Sequence, residues 1–476
     1  MSKHQSVRGQ LPEQPGSSQT KQTKYLVLDS RIIDEAVEAK LALGEITKHP
    51  QNPLFSEDKP WEPRFDNVYA NVIYDEADNL YKCWYNPFII DERVTTTPQE
   101  KQNPALLNYM DIKPDDREMG LCYAFSTDGI HWEKPELGLV EFGGNKQNNI
   151  LMRRVHGAGV FKDYRETDPA RRYKLFFCGE PQMTVAFSPD GLHWGQPIPI
   201  PEIEAHGTHA NAFWAPSLGK YVGITRQHAR RIRLVTRAES PDFVHWAKDE
   251  SVLEGPNPRL QTHDMVVFPT SGVYIGLLGM MVYPENSDRH VKQHVELAWS
   301  PDTVTWHRIQ EGTPFIGHSP AGTERYGAMP YDWGTIFASA PIFLDHEIQI
   351  YYGAGDWYFF NWRKGYLALA TLRPDGWAGY EPISAETSAV VTTRPLTFDG
   401  EIVGITADVL DGGSVRVEIL DETGRQRAIS EPVSATVTDC QVKWSKTQDL
   451  ASLSGEQVLL RFELRNAKLY AFQIKR

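Results

Sequence analysis

The sequence predicts an all-β protein, a five-bladed β-propeller followed by a C-terminal β-sandwich. A short signature recurs as far as Trp377, strand-like runs precede each copy, and beyond about residue 385 the signature stops while alternating apolar segments continue. The copies read Ser126-Thr-Asp128-Gly129-Ile-His131-Trp132, Ser188-Pro-Asp190-Gly191-Leu-His193-Trp194, Ser240-Pro-Asp242-Phe-Val-His245-Trp246 and Ser300-Pro-Asp302-Thr-Val-Thr-Trp306, with a degenerate fifth at Arg373-Pro-Asp375-Gly376-Trp377. They lie roughly 50 to 70 residues apart, at or a little above the period of propeller blades. Five copies imply five blades.

The signature is turn chemistry. Pro presets φ, Asp hydrogen-bonds its own backbone, and Gly takes φ > 0, so the chain reverses sharply. The Trp then opens a strand and covers the edge between neighbouring sheets. Its Asp, His and Trp residues are therefore expected to be turn and packing groups on separate blades.

The runs around each copy fit four-stranded blades. In the first, Val68 to Tyr74 ends at the turn Asp75 to Asn79, and Leu80 to Phe88 and Gly120 to Phe125 follow. The second has Gly157 to Phe161, Tyr173 to Cys178 and Met183 to Phe187; the third has His209 to Trp214, Tyr221 to Thr225 and Ile232 to Arg237. The fourth has Asp264 to Phe268, Val273 to Met281 and His294 to Trp299; the fifth has Thr335 to Leu344, Ile348 to Tyr352 and Gly365 to Thr371. A helical periodicity occurs only over Ile33 to Leu43. Past residue 385, Ile402 to Val409, Ser414 to Leu420, Ala435 to Trp444 and Val458 to Leu464 alternate as sandwich strands do. The expected division is a disordered tail over 1–23, the propeller over 24–385 and the sandwich over 386–476.

Composition narrows the function. The chain has 476 residues, 41% of them hydrophobic, and no apolar run long enough for a membrane helix. Residues 1–23 carry no hydrophobic stretch and do not read as a secretory signal. Cys83, Cys122, Cys178 and Cys440 form no metal or redox spacing, so reduced thiols and a cytoplasmic location are expected. A net charge of −13 argues against a nucleic-acid partner. The 13 Trp and 20 Tyr exceed what the turns need and suit sugar rings.

A propeller gathers the starts of its innermost strands around a central funnel. Here those starts are polar: Asp66-Asn67-Val68-Tyr69, His156-Gly157, His206-Gly-Thr208-His209 with Asn211, Gln261-Thr262-His263-Asp264, and Glu324-Arg325-Tyr326 with Asp332-Trp333. Asp264, a carboxylate opening an apolar strand, is the least expected of them. Each also has a plain structural reading. Asp66 and Asp332 fit turns, Glu324 fits a pair with Arg325, and His206, His209 and His263 match no metal-ligand spacing. No cofactor is implied.

With the propeller and its tail in view, the chain resembles the five-bladed glycoside hydrolase superfamily. Its architecture is similar to that of family 32 invertases and fructanases, and the propeller alone to family 43 arabinanases and arabinofuranosidases. Lys134-Pro-Glu-Leu-Gly-Leu-Val-Glu-Phe142, Asn148-Asn-Ile150 and Leu460-Arg-Phe-Glu-Leu-Arg-Asn-Ala-Lys-Leu-Tyr-Ala-Phe-Gln473 are similar to bacterial members of that superfamily. The resemblance departs at the site. Of the Asn-Asp-Pro-Asn motif only Asp66 has a counterpart, Thr167-Asp168-Pro169 falls in a turn of the second blade where an Arg-Asp-Pro motif would not lie, and no Glu-Cys pair exists.

The resemblance implies a glycoside hydrolase acting on a small glycoside, with furanosides such as fructosides and arabinosides favoured. Such chemistry needs one carboxylic acid and one carboxylate across the bond. Asp66, as base or nucleophile, and Asp264 are the expected pair, with Glu324 and Asp332 in reserve as the acid. Tyr69, His209, Asn211 and His263 would bind hydroxyls. A carbohydrate-binding propeller without catalysis and a His-dependent lyase are the alternatives, and the sequence leaves open a homo-oligomer.

Overall fold

The computed structural model describes residues 24–103, 107–230, 232–320, 329–400, 402–445 and 450–475. The chain is all-β, and residues 47–372 build a succession of antiparallel units. The first runs through Asn71–Asp75, Leu80–Tyr85, Arg117–Ser126 and Trp132–Glu133; the second through His156–Lys162, Tyr173–Cys178, Gln182–Ser188 and Ile198–Glu204. The third comprises Asn211–Ala215, Lys220–Ala229, Ile232–Ser240 and Glu250–Glu254; the fourth Leu260–Thr270, Val273–Val282, Lys292–Ser300 and His307–Arg308. In the fifth, Thr335–Ala338, Ile348–Gly355 and Gly365–Leu372 pair in turn, and the outer strands Thr47–Lys48 and Phe55–Ser56 come from the N-terminal side of the chain. A single parallel pair, Gln293 with Thr335, joins the fourth and fifth units into one sheet.

Neighbouring units bury their faces against each other, which is why strands such as Tyr173–Cys178 are buried at every position and do not alternate. Trp84 and Tyr123 of the first unit pack with Leu175 and Phe177 of the second. Phe176 and Val185 meet Phe243 and Trp246 of the third, and Phe213 and Ile224 meet Met265 and Leu278 of the fourth. Ile275 and Leu297 pack on Ile336 and Ile350 of the fifth, whose Leu344 and Tyr351 return to Val72 and Tyr81 of the first. Contacts thus run in a cycle, each fully buried large side chain contributing about 1.5–3 kcal/mol by area removed from water.

The first strands approach closely. Gly157 has φ +61°, and a Cβ there would stand 1.6 Å from the carbonyl oxygen of Thr208. Its own carbonyl accepts from Ala210 N at 2.7 Å, so only glycine permits this contact between the second and third units.

The signature turns are self-contained. Ser126 Oγ accepts from Gly129 N at 2.9 Å, and Asp128 Oδ1 accepts from Ile130 N and His131 N at 2.8 Å each. Trp132 Nε1 donates to Gly129 O at 3.1 Å. The Ser and Asp bonds recur around Asp190, Asp242 and Asp302, and the Trp bond recurs at Trp246 and Trp306 but not at Trp194, whose buried Nε1 has no partner among the described residues. Where glycine is missing, Phe243 and Thr303 still adopt φ of 67° and 68°, close to the 78° of Gly129. The Asp–His pairs stay exposed and apart, the placement expected of turn groups. Asp128→Ala removes the one oxygen that accepts from two backbone N–H groups, and the variant is expected to lose about 1–2 kcal/mol. A lower denaturant midpoint with unchanged ligand binding would show it.

The last segment forms a sheet with parts of both chain ends. Ile402–Asp421 and Gln457–Lys475 pair along most of their length, joined by Ala378–Pro382 and Ser388–Thr393 and by Lys24–Leu26, Ile33–Val37 and Ala39–Leu43. Its core holds Ile405, Val417, Leu460, Phe462 and Leu464. The helical periodicity over Ile33 to Leu43 is overturned: these residues form two strands hinged at Glu38, whose φ is 51°. The face reversal at the hinge puts apolar residues at mixed spacings, which imitates a helical repeat. The division drawn at 385/386 runs between Ala378–Pro382 and Ser388–Thr393, both strands of this sheet. No described helix is long and apolar enough to cross a membrane.

Candidate functional site

The loop into the first strand of the first unit is strained. Asp66, Val68 and Tyr69 have φ of 55°, 64° and 45°, and a β-branched residue in that region is held there only by its surroundings. The surroundings are strong. Arg363, from the loop between the last two strands of the fifth unit, donates to Asp66 Oδ1 at 2.9 Å, Asn67 Oδ1 at 2.6 Å and the Asp66 carbonyl at 2.5 Å. Arg64 Nε adds a bond to Asp66 Oδ1 at 3.2 Å. Burial pushes the Asp66 carboxyl up, but Arg363, Arg64 and Arg117 outweigh it and hold the group below the ordinary carboxylate range. A fifth of its side chain stays open, at 20% relative exposure. It is thus ionised, fixed and reachable.

Tyr69 is buried and sets the centre of a ring stack. Its ring lies 5.2 Å from that of His209 and 6.5 Å from that of His263, both nearly parallel, with His156 at 6.1 Å and Phe337 edge-on at 5.7 Å. Asn67 Nδ2 donates to its hydroxyl at 2.6 Å. Burial, assisted by the nearby charge of Arg226, lowers His156 to about 4. Burial lowers His209 to about 4 as well. His263 is pushed well below the ordinary histidine range by burial and then by Arg226, Arg233 and Arg363. Three neutral imidazoles therefore surround one phenol. Neither buried ring nitrogen of His209 makes a hydrogen bond of good geometry, although the Ala158 backbone lies near enough to favour its protonated form slightly.

Asp264, in the first strand of the fourth unit, meets this stack from the far side of the cycle. Its Oδ1 lies 2.9 Å from His263 Nδ1 and accepts from Gln293 Nε2 at 2.9 Å. Burial raises its carboxyl to about 7, against the lowering influence of Gln293 and Arg226. Asp66 and Asp264 both act on the Tyr69 hydroxyl through their charge. Ring contacts and one hydrogen bond thus join Tyr69, His209, His263 and Asp264, and Asp66 lies near enough to act on the Tyr69 hydroxyl through its charge.

Two expected residues sit elsewhere. Asn211 Oδ1 accepts from Val267 N at 2.9 Å, bracing the third unit on the fourth. It lines a cavity of about 630 Å³ at the opposite ends of the first strands, among Val160, Trp214 and Pro341. The basic side chains Lys24 and Lys162 of that cavity are spent on Asp375 at 2.5 Å and Asp75 at 2.6 Å. Asp332 is fully buried, accepts from Ser319 N at 3.1 Å and pairs with Lys48 at 2.5 Å, which ties the N-terminal outer strand to the fifth unit. Among the described residues it shares no hydrogen-bond partner with Asp66 or Asp264. Glu324 lies outside the described residues.

Residues not singled out from sequence complete the site. Arg363 and Gln293 hold the two carboxylates, and Arg226 lies behind His263. The run Trp357-Tyr-Phe-Phe-Asn-Trp362 builds an aromatic wall: Phe359 lies 5.1 Å from His263, and Trp357 stacks on Trp333 at 5.1 Å. Lys292 Nζ stands 3.3 Å over the Trp333 ring. Five aromatics in six residues were a visible signal. Among the described residues, no group of three or more His, Cys, Asp or Glu is arranged to hold a metal ion.

No family model matches this sequence, and no curated protein matches it. Among solved structures, the chain is similar to a glycosyl hydrolase from Bacteroides ovatus, at 15% identity and a TM-score of 0.45, over 72% of this chain and 98% of that one. A beta-1,2-mannobiose phosphorylase from Listeria innocua shows 15% identity and a TM-score of 0.45, over 69% and 97%. An N-acetylgalactosamine deacetylase from F. plautii shows 13% identity and a TM-score of 0.43, over 72% and 96%. Three activities stand in those descriptions, and likeness at this level fixes none of them for this chain.

Proposed function

We propose that the five units are blades of a propeller, and that its funnel binds a small carbohydrate and cleaves a glycosidic bond. The observation that carries this reading is that Asp66 and Asp264, from separate units, both lie near enough to Tyr69 to act on its hydroxyl through their charge. One carboxyl is kept ionised by arginines, whereas the other is kept protonated near neutrality by burial. Carboxyl groups driven apart in this way are the working pair of a glycosidase. Asp264 would protonate the leaving oxygen, and Asp66 would attack the sugar or activate water. The neutral imidazoles each offer one donor and one acceptor, which suits sugar hydroxyls, and the unmet nitrogens of His209 call for a ligand or water. The aromatic wall would stack on a sugar face.

The test is incubation of the purified protein with aryl furanosides and pyranosides, furanosides first. Release of the aryl group supports the reading, and its rate should be highest below pH 7 and fall as pH rises through about 7, where Asp264 loses its proton. A rate flat to pH 9 would remove Asp264 as the acid.

One observation favours a second reading, carbohydrate binding without catalysis. Asp66 is held in two ion pairs, and a carboxylate so paired is a weak nucleophile. Sugar binding without release from any glycoside would establish that reading.

A further inference from the structure

The funnel is electrostatically unlike the rest of the chain. Against a net charge of −13, its walls gather Arg64, Arg117, Arg226, Arg233 and Arg363. Arg64 and Arg363 are spent on Asp66. Arg226 and Arg233 have no carboxylate within ion-pair distance among the described residues. Arg233 Nη1 reaches Tyr283 Oη at 3.0 Å and Gln261 Oε1 at 3.3 Å, and its buried Nε is unbonded.

Arg226 is the more telling. It is 6% exposed, and its guanidinium meets only main-chain carbonyls, those of His206 at 2.5 Å, Gly207 at 2.6 Å and His263 at 3.4 Å. Its Nε is buried and unbonded. A buried guanidinium without an anion is costly. Its charge acts on Tyr69, His156, His263 and Asp264, the groups that line the candidate site. Burial and the repulsion of Arg233 lower Arg226 to about 10, which leaves it charged at neutral pH.

We propose that Arg226 marks a subsite for an oxyanion carried by the substrate, the carboxylate of an acidic sugar. This rests on the funnel being the carbohydrate site and names the class of sugar it takes. The carboxylate supplies the counter-ion the fold withholds, in an ion pair that a neutral sugar cannot make. Free phosphate is the other source of the same chemistry.

Binding is measured by calorimetry on the full chain with glucuronate, galacturonate, the corresponding neutral sugars, glucuronamide and inorganic phosphate. At least one uronate is expected to bind about ten-fold or more tighter than its neutral counterpart. Glucuronamide, which keeps the shape without the charge, should bind no better than glucose. Arg226→Gln should abolish the preference and Arg226→Lys should retain part of it. Because Arg226 also holds carbonyls, the glucuronate and glucuronamide comparison in the unaltered protein decides the matter if either variant fails to fold. Uronates binding no tighter than neutral sugars, or a preference that survives in a folded Arg226→Gln protein, overturns the proposal. Tight binding of phosphate alone also overturns the acidic-sugar assignment. No cleavage enters this readout, so inertness toward aryl glycosides, aryl uronides included, would refute the glycosidase reading and leave the subsite standing or falling on binding.

Discussion

Asp264→Asn is expected to lower turnover by about 10²- to 10⁴-fold, the usual loss on removing a general acid, while the protein stays folded. The amide is nearly isosteric, and its oxygen can still accept from Gln293 Nε2, which now stands 2.9 Å from Oδ1. The sign of the stability change separates a catalytic role from a structural one. The folded-state pKa of Asp264 is raised to about 7 from an ordinary 3.8, so folding disfavours its ionised form and wild-type stability falls as pH rises between those values. The asparagine variant carries no such penalty. It should therefore unfold at an equal or higher temperature than wild type at pH 8, and it should lose the alkaline limb of the rate profile. A carboxyl kept for structure would give the reverse, a lower unfolding temperature at every pH. Near-normal turnover in the folded variant would take Asp264 out of the mechanism.

Much of the layout could be read from residues alone, because the signature is local chemistry. Ser, Asp and a residue at positive φ close the turn whatever surrounds them, so each copy announces itself. The first strands also lie near where the sequence puts them: Val68 to Tyr74 is realised as Asn71–Asp75, and Asp264 to Phe268 falls inside Leu260–Thr270. What could not be read depends on contacts between residues far apart in sequence. The outer strands of the fifth unit come from Thr47–Lys48 and Phe55–Ser56, more than 300 residues before their partner, and nothing local to either says so. Asp332 looks like a funnel carboxylate until Lys48 arrives from that same return of the chain. Asn211 looks like a hydroxyl binder because amides bind sugars, yet its oxygen serves a backbone N–H of the next unit. Asp66, His263 and Asp264 were legible as a polar cluster out of keeping with strand starts. Their arginine partners were not, since Arg226 and Arg363 sit on other strands and loops with no motif around them.

Arg363→Ala is expected to cost about 3–5 kcal/mol, the loss seen when one member of a buried ion pair is removed and the other stays. Its side chain has no solvent exposure and joins the fifth unit to the loop that opens the first. Besides its bonds to Asp66 and Asn67 it donates to Thr335 Oγ1 at 3.1 Å and to the Phe359 carbonyl at 3.3 Å. Without it, Asp66 keeps only the side-chain hydrogen bond from Arg64 and the more distant charge of Arg117, and the positive φ of Asp66, Val68 and Tyr69 loses its main restraint. The carboxyl of Asp66 should rise toward the ordinary range as the largest opposing charge disappears. Stability and site chemistry are thus expected to fail together: a lower denaturant midpoint, and an acid limb of the rate profile moved to higher pH. A double-mutant cycle with Asp66→Asn measures the coupling directly, and two contacting charged groups should show an interaction of about 1–3 kcal/mol. Additive losses would mean that Arg363 holds the loop through Asn67 and the Asp66 carbonyl alone. The Asp66 carboxylate would then be left free of structural duty and available to the substrate.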